Sequence, residues 1–308
     1  MKYNNSITTA DGIVLSIDNI VVDFTIKKQF LQKFLDYLSH METTSGDFDL
    51  NWWKKTGIGN FCYQFKVKLP DGNSFWIGVG LNMAAGVENR IRIEANPNKV
   101  GDSVAFCEIM YFLLRHIKRK DMITVKRFDL AADLPIDRAD VFLIKNGHMY
   151  SERRHGQEWT QYLGKVNTHG RVKLYNKQVE AKLTYPLTRL EMTLDPSVPY
   201  ENIPFPQVYY YDGRSASLEE RQHLTDTDLF ILQALLVGAG KVEQLGRRKR
   251  EQMQRVLESY TKPLFISEND YYAVWAQLAS WTNKMEVLKR LSIAKQKKGK
   301  ITYEVLPF

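Results

Sequence analysis

The apolar positions of the chain follow two regimes. Up to about residue 195 they come in short runs or alternate with polar residues, the two-residue period of strands; beyond about residue 220 they recur every three or four positions, the period of helices. Ile13–Phe24 predicts a first strand, and Phe30, Leu31, Phe34, Leu35 and Leu38 mark one face of a helix after it. Phe61–Leu69 and Ser74–Leu81 predict two strands joined by Pro70-Asp71-Gly72-Asn73, a composition suited to a hairpin turn. A short strand at Ile91–Glu94, closed by Asn96-Pro97-Asn98, and a buried helix at Val104–Ile117 come next. The middle predicts strands at Ile123–Leu134, Val141–Ile144, Trp159–Leu163, Val172–Tyr175 and Thr188–Leu194.

The pattern then breaks. Pro196, Pro199, Pro204 and Pro206 precede Tyr209-Tyr210-Tyr211-Asp212-Gly213, which predicts a linker. After it, Thr225–Asp228 can cap a helix over Leu229–Val237, Gly238 and Gly240 stop it, and a second helix runs from about Val242 to Tyr260. Ser267–Asp270 offers a further capping start for a helix Tyr271–Trp281, followed by a basic tail helix. The expected fold is therefore α+β: a central antiparallel sheet with flanking helices in residues 1–200, a linker over 201–220, and a smaller helical domain over 221–308.

Charge sharpens this division. The chain of 308 residues carries a net charge of +8. Residues 241–300 hold 14 Lys and Arg against 6 Asp and Glu, so this stretch alone accounts for the imbalance. A localised basic region is the footprint of a polyanionic partner, since each neutralised phosphate releases counterions; the alternative is a solvated cationic face. Hydrophobic residues at 44% and charged residues at 25% describe a globular protein. No apolar run is long enough to span a bilayer and the start is polar, so a cytoplasmic protein without a membrane partner is expected. Cys62 and Cys107 are too few for a disulfide framework or a zinc site.

Candidate chemistry comes from three strands of the middle region. Strand alternation puts Arg127, Asp129, Ala131 and Asp133 on one face of the first, and Phe128, Leu130, Ala132 and Leu134 on the other. It likewise collects Arg171, Lys173, Tyr175 and Lys177 on one face of a second, and Arg189, Glu191, Thr193 and Asp195 on one face of a third. If the three are neighbours, acids, cations and a tyrosine share a surface suited to phosphoryl transfer. Asp129, Asp133 and Glu191 are hard oxygen ligands for Mg²⁺ or Mn²⁺. Arg171, Lys173 and Lys177, or the metal, are expected to favour tyrosinate at Tyr175. The same pattern also describes a half-buried sheet whose wet face is laced with cross-strand ion pairs.

Five short motifs in order bear on that choice: Ile91–Lys99, Arg127–Asp133, Tyr162-Leu163-Gly164, Arg171–Lys177 through Glu180, and Arg189-Leu190-Glu191. Over residues 13 to 195 the sequence resembles the replication initiation factor family, which contains initiators of rolling-circle plasmids and relaxases of related conjugative elements. The resemblance implies a rolling-circle initiator-like fold and a tyrosine, here Tyr175, that cleaves one strand of origin DNA. That tyrosine stays joined to the 5′-phosphate, and a host polymerase extends the free 3′-hydroxyl. It implies metal-binding acids at Asp129 and Glu191, with Asp133 and Glu180 as further members, and Tyr162 as the rival nucleophile. The His-hydrophobic-His triplet of the broader nuclease superfamily is absent from the sequence, leaving carboxylates as ligands. Partners implied are origin DNA, duplex and single-stranded, a host helicase and polymerase, and a second copy of the chain.

The helical C-terminal part has a helix-turn-helix outline. Arg247, Arg248, Lys249, Arg250 and Arg255 are expected to contact phosphates, with Gln244 and Gln252 as candidates for base edges. The expected function is a rolling-circle replication initiator that nicks and rejoins DNA. The alternatives are a relaxase starting conjugative transfer and a non-catalytic origin-binding protein.

Overall fold

A computed structural model of the chain describes residues 6–44, 49–53, 61, 63–80, 89–101, 103–116, 123–144, 149–156, 158–211, 224–236, 239–240 and 242–276. The protein is a mixed α+β structure built on a large antiparallel sheet with several helices. Every strand pairing whose register is described is antiparallel. The chain divides into two compact units: residues 1–7, 16–129 and 272–308 form the first, and residues 8–15 and 130–271 the second. This boundary falls inside one long strand, whereas the sequence places a linker at 201–220. Among the described residues no helix is long and apolar enough to cross a membrane.

In the first unit, β1 (Ser6–Thr8) and β2 (Val14–Ile26) begin the chain. They are followed by α1 (Lys28–Thr44), β3 (Asp49–Trp53), β4 (Tyr63–Lys68), β5 (Ser74–Gly80) and β6 (Asn89–Ala95). The strand order is β3-β4-β5-β6-β2. The turn between β4 and β5 forms where expected. Gly72 sits at φ 83°, a conformation costly for a residue with a Cβ, and its N–H donates to the Leu69 carbonyl at 2.9 Å. Leu31, Phe34, Leu38 and Met41 of α1 are buried at three-to-four spacing. Each such side chain contributes about 1.5–3 kcal/mol by leaving water. Short helix α2 (Pro97–Val100) and helix α3 (Val104–His116) follow, and Tyr37 of α1 stacks on Phe112 of α3 at 4.4 Å between centroids. Asn96 and Pro97 close the strand as expected and also start α2: the Asn96 side chain accepts from the Asn98 N–H at 3.0 Å. Asp23 on β2 is buried and is held by Arg92 of β6 through Nε at 2.6 Å and Nη2 at 2.9 Å.

Strand β7 (Ile123–Leu134) spans the predicted residues and contributes to both units. The second unit continues with β8 (Val141–Leu143), β9 (Tyr150–His155), β10 (Glu158–Leu163), β11 (Arg171–Asn176), α4 (Lys177–Ala181) and β12 (Thr188–Leu194). Its part of the sheet runs β7-β12-β11-β10-β9. Phe128, Leu130, Ala132 and Leu134 of β7 are buried, as are Val172 and Leu174 of β11 and Leu190, Met192 and Leu194 of β12. The alternation read from the sequence is thus the real division into apolar and polar faces. In the expected linker, Val208–Tyr211 forms a strand, β13, paired with β8 and with β14 (Thr261–Pro263) in a separate three-stranded sheet. Val208 and Tyr210 are buried and Tyr209 between them is half-buried, so a strand pattern lay hidden among the prolines.

The helical part of this unit has two helices, Asp226–Leu236 and Arg247–Tyr260, joined by ten residues that include a 3₁₀ turn at Val242–Gln244. The second helix therefore starts five residues later than predicted, and the connection is longer than the short turn of a helix-turn-helix. Leu235 and Met253 are buried between the helices, with Ile231, Leu232, Val242, Leu245 and Val256 packed around them. The first helix is closed by a reciprocal cap. Thr225 Oγ1 donates to Asp228 Oδ2 at 2.8 Å and accepts from the Asp228 N–H at 3.2 Å. The predicted helix at Tyr271–Trp281 is described over residues 268–276, and the rest of it and the basic tail lie outside the described residues.

Asp228 also pairs with Lys249 of the second helix. The Lys249 hydrogen bond first, then that of Thr225, hold its carboxyl down at about 2. A depressed acid stabilises the fold fully above its unfolded value of 3.8 and loses that contribution as pH falls toward about 2. Asp228→Asn should therefore lower the melting temperature at pH 6, and the difference from the parent should shrink through this window and vanish below pH 2. Thermal unfolding followed by circular dichroism at stepped pH measures it.

Candidate phosphoryl-transfer site

The register of β11 with β12 sets Lys173 opposite Glu191 and Tyr175 opposite Arg189. The register of β10 with β11 sets Tyr162 opposite Lys173 and Thr160 opposite Tyr175. With a two-residue period, these side chains share the polar face of the sheet, away from the apolar layer of Leu174 and Leu190. The Tyr175 hydroxyl donates to Glu191 Oε1 at 2.5 Å. Lys173 Nζ lies 3.4 Å from Glu191 Oε2 and 3.8 Å from the centre of the Tyr175 ring. Lys177, at the start of α4, stands 5.7 Å from the same ring and pairs with Glu180 at 2.5 Å. Two acids and two lysines thus gather around one phenol.

Tyr175 is only 4% exposed. Burial first, then the charge of Glu191 and the hydrogen bond to it, push its phenol far above the ordinary range. The expectation that neighbouring cations would favour tyrosinate is corrected here, because desolvation and an adjacent carboxylate both penalise the anion. Burial pushes Glu180 up, but the hydrogen bond and charge of Lys177, with Lys173 and the Tyr175 hydroxyl, outweigh it and hold this acid below its usual value.

The other predicted residues distribute as follows. Asp133 is bound bidentately by Arg189, with Nε to Oδ1 and Nη2 to Oδ2 both at 2.6 Å. Arg171 lies over the Tyr162 ring at 5.1 Å, as Lys173 lies over that of Tyr175. Asp129 belongs to the first unit, where it lines a cavity of ≈ 650 Å³ with Asp18, Glu94, Asn19, Asn96 and Lys66. Glu94, within the first of the family-like motifs, accepts from Asn19 at 3.0 Å and from Arg127 at 3.1 Å. Among the described residues no group of three or more His, Cys, Asp or Glu side chains is arranged to hold a metal ion. In the second unit each acid expected as a ligand is directed at a cation or the phenol, so these donors do not fit a Mg²⁺ or Mn²⁺ cage. The cross-strand ion pairs of a half-buried sheet, the alternative reading of the pattern, are present at Arg189–Asp133 and Lys173–Glu191.

On the basic helix the five expected cations separate into two roles. Lys249 is committed to Asp228 and Gln252, and Arg250 Nη2 donates to the Glu243 carbonyl at 2.9 Å and the Leu245 carbonyl at 3.2 Å. Lys249 thus ties the second helix to the start of the first, and Arg250 holds the connection onto the second. Arg247, Arg248 and Arg255 are exposed, Arg247 with a pairing to Glu251 at 3.1 Å.

Among solved structures, the chain is similar to that of a rolling-circle replication initiator protein from Geobacillus stearothermophilus. The identity is 14% and the TM-score 0.36, covering 73% of this chain and 97% of the other. No protein-family model matches the chain, and no curated protein matches it.

One further cluster gave no signal in the sequence. Buried Arg138, in the 3₁₀ turn before β8, donates through Nη2 to Gln161 Oε1 at 2.5 Å and through Nη1 to the Val141 carbonyl at 2.7 Å. Its guanidinium lies 3.9 Å from the Trp159 ring centre. A lone arginine following an aspartate in a loop reads as solvated, and only the fold shows it covered.

Proposed function

We propose that the chain nicks and rejoins one strand of DNA as a rolling-circle replication initiator, through a covalent 5′-phosphotyrosine at Tyr175. The observation that carries this reading is the 2.5 Å hydrogen bond from the Tyr175 hydroxyl to Glu191, set among Lys173, Lys177 and Arg189. It joins with the sequence resemblance and with the basic helix. A phenol kept protonated by its surroundings attacks only if its proton leaves in the same step. Glu191 takes that proton as the Tyr175 oxygen bonds to phosphorus. The phosphorus–O3′ bond breaks, and the departing 3′-oxygen takes a proton from Lys173 or from water. Rejoining is the reverse: the 3′-hydroxyl attacks the phosphotyrosine, and Glu191 returns its proton to the phenol.

Lys173 and Lys177 cover the phenol, and an incoming phosphate is the charge that would draw them off it while balancing the transition state. Arg247, Arg248 and Arg255 serve as phosphate contacts to duplex DNA, with Asp129, Asp133, Glu180 and Arg171 as further polar groups of the two units. Glu191→Gln keeps the shape of the site but removes the base. It should lower single-turnover cleavage of an end-labelled oligonucleotide by about 10²- to 10⁴-fold, with duplex affinity unchanged. Cleavage at the parental rate would overturn the role given to Glu191.

A second reading, a DNA-binding protein without catalysis, is favoured by the 4% exposure of Tyr175 and by the ion pairing of the surrounding acids. It predicts salt-dependent binding with no covalent adduct in any divalent metal. A relaxase role would use the same site and differ only in the DNA it acts on.

A further inference from the structure

We infer that the second unit carries a nucleotide-phosphate site on the face of the sheet opposite Tyr175, in the cavity lined by Arg138, Arg154, Trp159, Val179, Lys182 and Leu183. The first observation is an unbalanced buried cation. Arg138 is 2% exposed, yet among the described residues no carboxylate lies within ion-pairing distance of it, and its Nε meets no acceptor. The two acids whose charge reaches it are used elsewhere. Asp137 accepts from the Ala139 N–H at 2.8 Å, and Glu152 accepts from the Tyr150 hydroxyl and from Trp159 Nε1. Withdrawal from water is what lowers the guanidinium to about 10, a cost that a bound anion would offset.

The second observation is the cavity beside it. Its volume of ≈ 570 Å³ falls in the range of small-molecule sites and is far larger than one phosphate requires. Arg154, opposite Trp159 in the β9–β10 register, and Lys182 add two cations to its wall, so that with Arg138 three cations face the one carboxylate there, Asp137. Both guanidiniums lie over the Trp159 ring, Arg138 at 3.9 Å and Arg154 at 5.0 Å from its centre. Val179 and Leu183 supply the apolar wall that a base needs once its phosphate is held. The chemistry fits a nucleotide 5′-phosphate, either a free nucleotide or the end of an unpaired strand.

The site stands independently of Tyr175 chemistry, and its test keeps the two apart. Titration calorimetry would use inorganic phosphate, free dTMP and a 5′-phosphorylated oligothymidylate. The proteins would be the parent, Tyr175→Phe, and the surface double variant Arg154→Ala with Lys182→Asn. Asparagine suits the left-handed backbone of Lys182 at φ 53°. Saturable binding of dTMP, weakened at least tenfold in the double variant and unchanged in Tyr175→Phe, supports the site with free nucleotide as ligand. The same loss seen with the oligonucleotide alone supports it with the strand end as ligand. Equal affinity of parent and double variant for every nucleotide, or inorganic phosphate binding as tightly as dTMP, overturns it. Equal melting temperatures of the parent and double variant show that a lost affinity is not a lost fold.

Discussion

Replacing Tyr175 by phenylalanine is expected to abolish the covalent protein–DNA adduct and to reduce nicking of supercoiled origin DNA by about 10³-fold or more, since the oxygen that forms the bond to phosphorus is removed. The substitution removes one oxygen and leaves the ring under Lys173. Glu191 loses its 2.5 Å donor but keeps Lys173 at 3.4 Å. A charged hydrogen bond of this kind is worth about 1.5–3 kcal/mol, so the melting temperature should fall measurably without loss of the fold. Duplex binding by the exposed arginines should be unaffected. Denaturing gels of labelled oligonucleotide, run beside gel-shift titrations, read both outcomes. Adduct persisting in Tyr175→Phe would move the nucleophile elsewhere, with Tyr162 the first to examine; no adduct in the parent protein would leave the non-catalytic reading.

The parts of this site that could be read in the sequence are those fixed by local periodicity. Strand alternation sorted Arg171, Lys173 and Tyr175 from Val172 and Leu174, and the structure keeps that sorting because one face of the sheet is buried. The choice of partner was not local. The sequence offered Asp129 and Glu191 first, with Asp133 and Glu180 as further acids, and only the register and the start of α4 decide that Glu191 takes the phenol, Lys177 takes Glu180 and Arg189 takes Asp133. Nor could burial of the phenol be read, because the lysines that cover it look, in sequence, like cations that activate it.

Elements were missed for a similar reason. Strand β9 is Tyr-Ser-Glu-Arg-Arg-His, with five of its six residues exposed, so it has no apolar alternation and is held by its backbone pairing with β10. Strand β13 lies among prolines that argued for a linker. Strand β3, Asp49–Trp53, is a short edge strand that went unpredicted beside β4. On the basic helix, composition gave the charge, but the division between Lys249 and Arg250 inside the structure and Arg247, Arg248 and Arg255 outside it depends on the longer connection before the helix.

Asp133→Ala is expected to produce the largest loss of stability among the site variants. The carboxylate and its arginine are largely withdrawn from water, with side-chain exposures of 15% and 11%, and are joined by two hydrogen bonds of 2.6 Å. Removing one partner leaves the Arg189 charge covered and unbalanced on β12, a loss of about 3–5 kcal/mol by comparison with broken buried pairs elsewhere. Removing both charges, as Asp133→Leu with Arg189→Met, should restore most of that stability, because the cost lies in the orphaned charge and not in the absence of the pair. Urea unfolding of Asp133→Leu, Arg189→Met and the double variant forms the cycle. The same proteins decide what Asp133 is for. If its role is to hold Arg189 in the sheet, the double variant folds and nicks at the rate of Arg189→Met alone, since the residue opposite Tyr175 is changed in both. If Asp133 binds a divalent ion when DNA is present, the double variant folds equally well but has lost the divalent-dependent cleavage that Arg189→Met alone retains, so stability and activity separate.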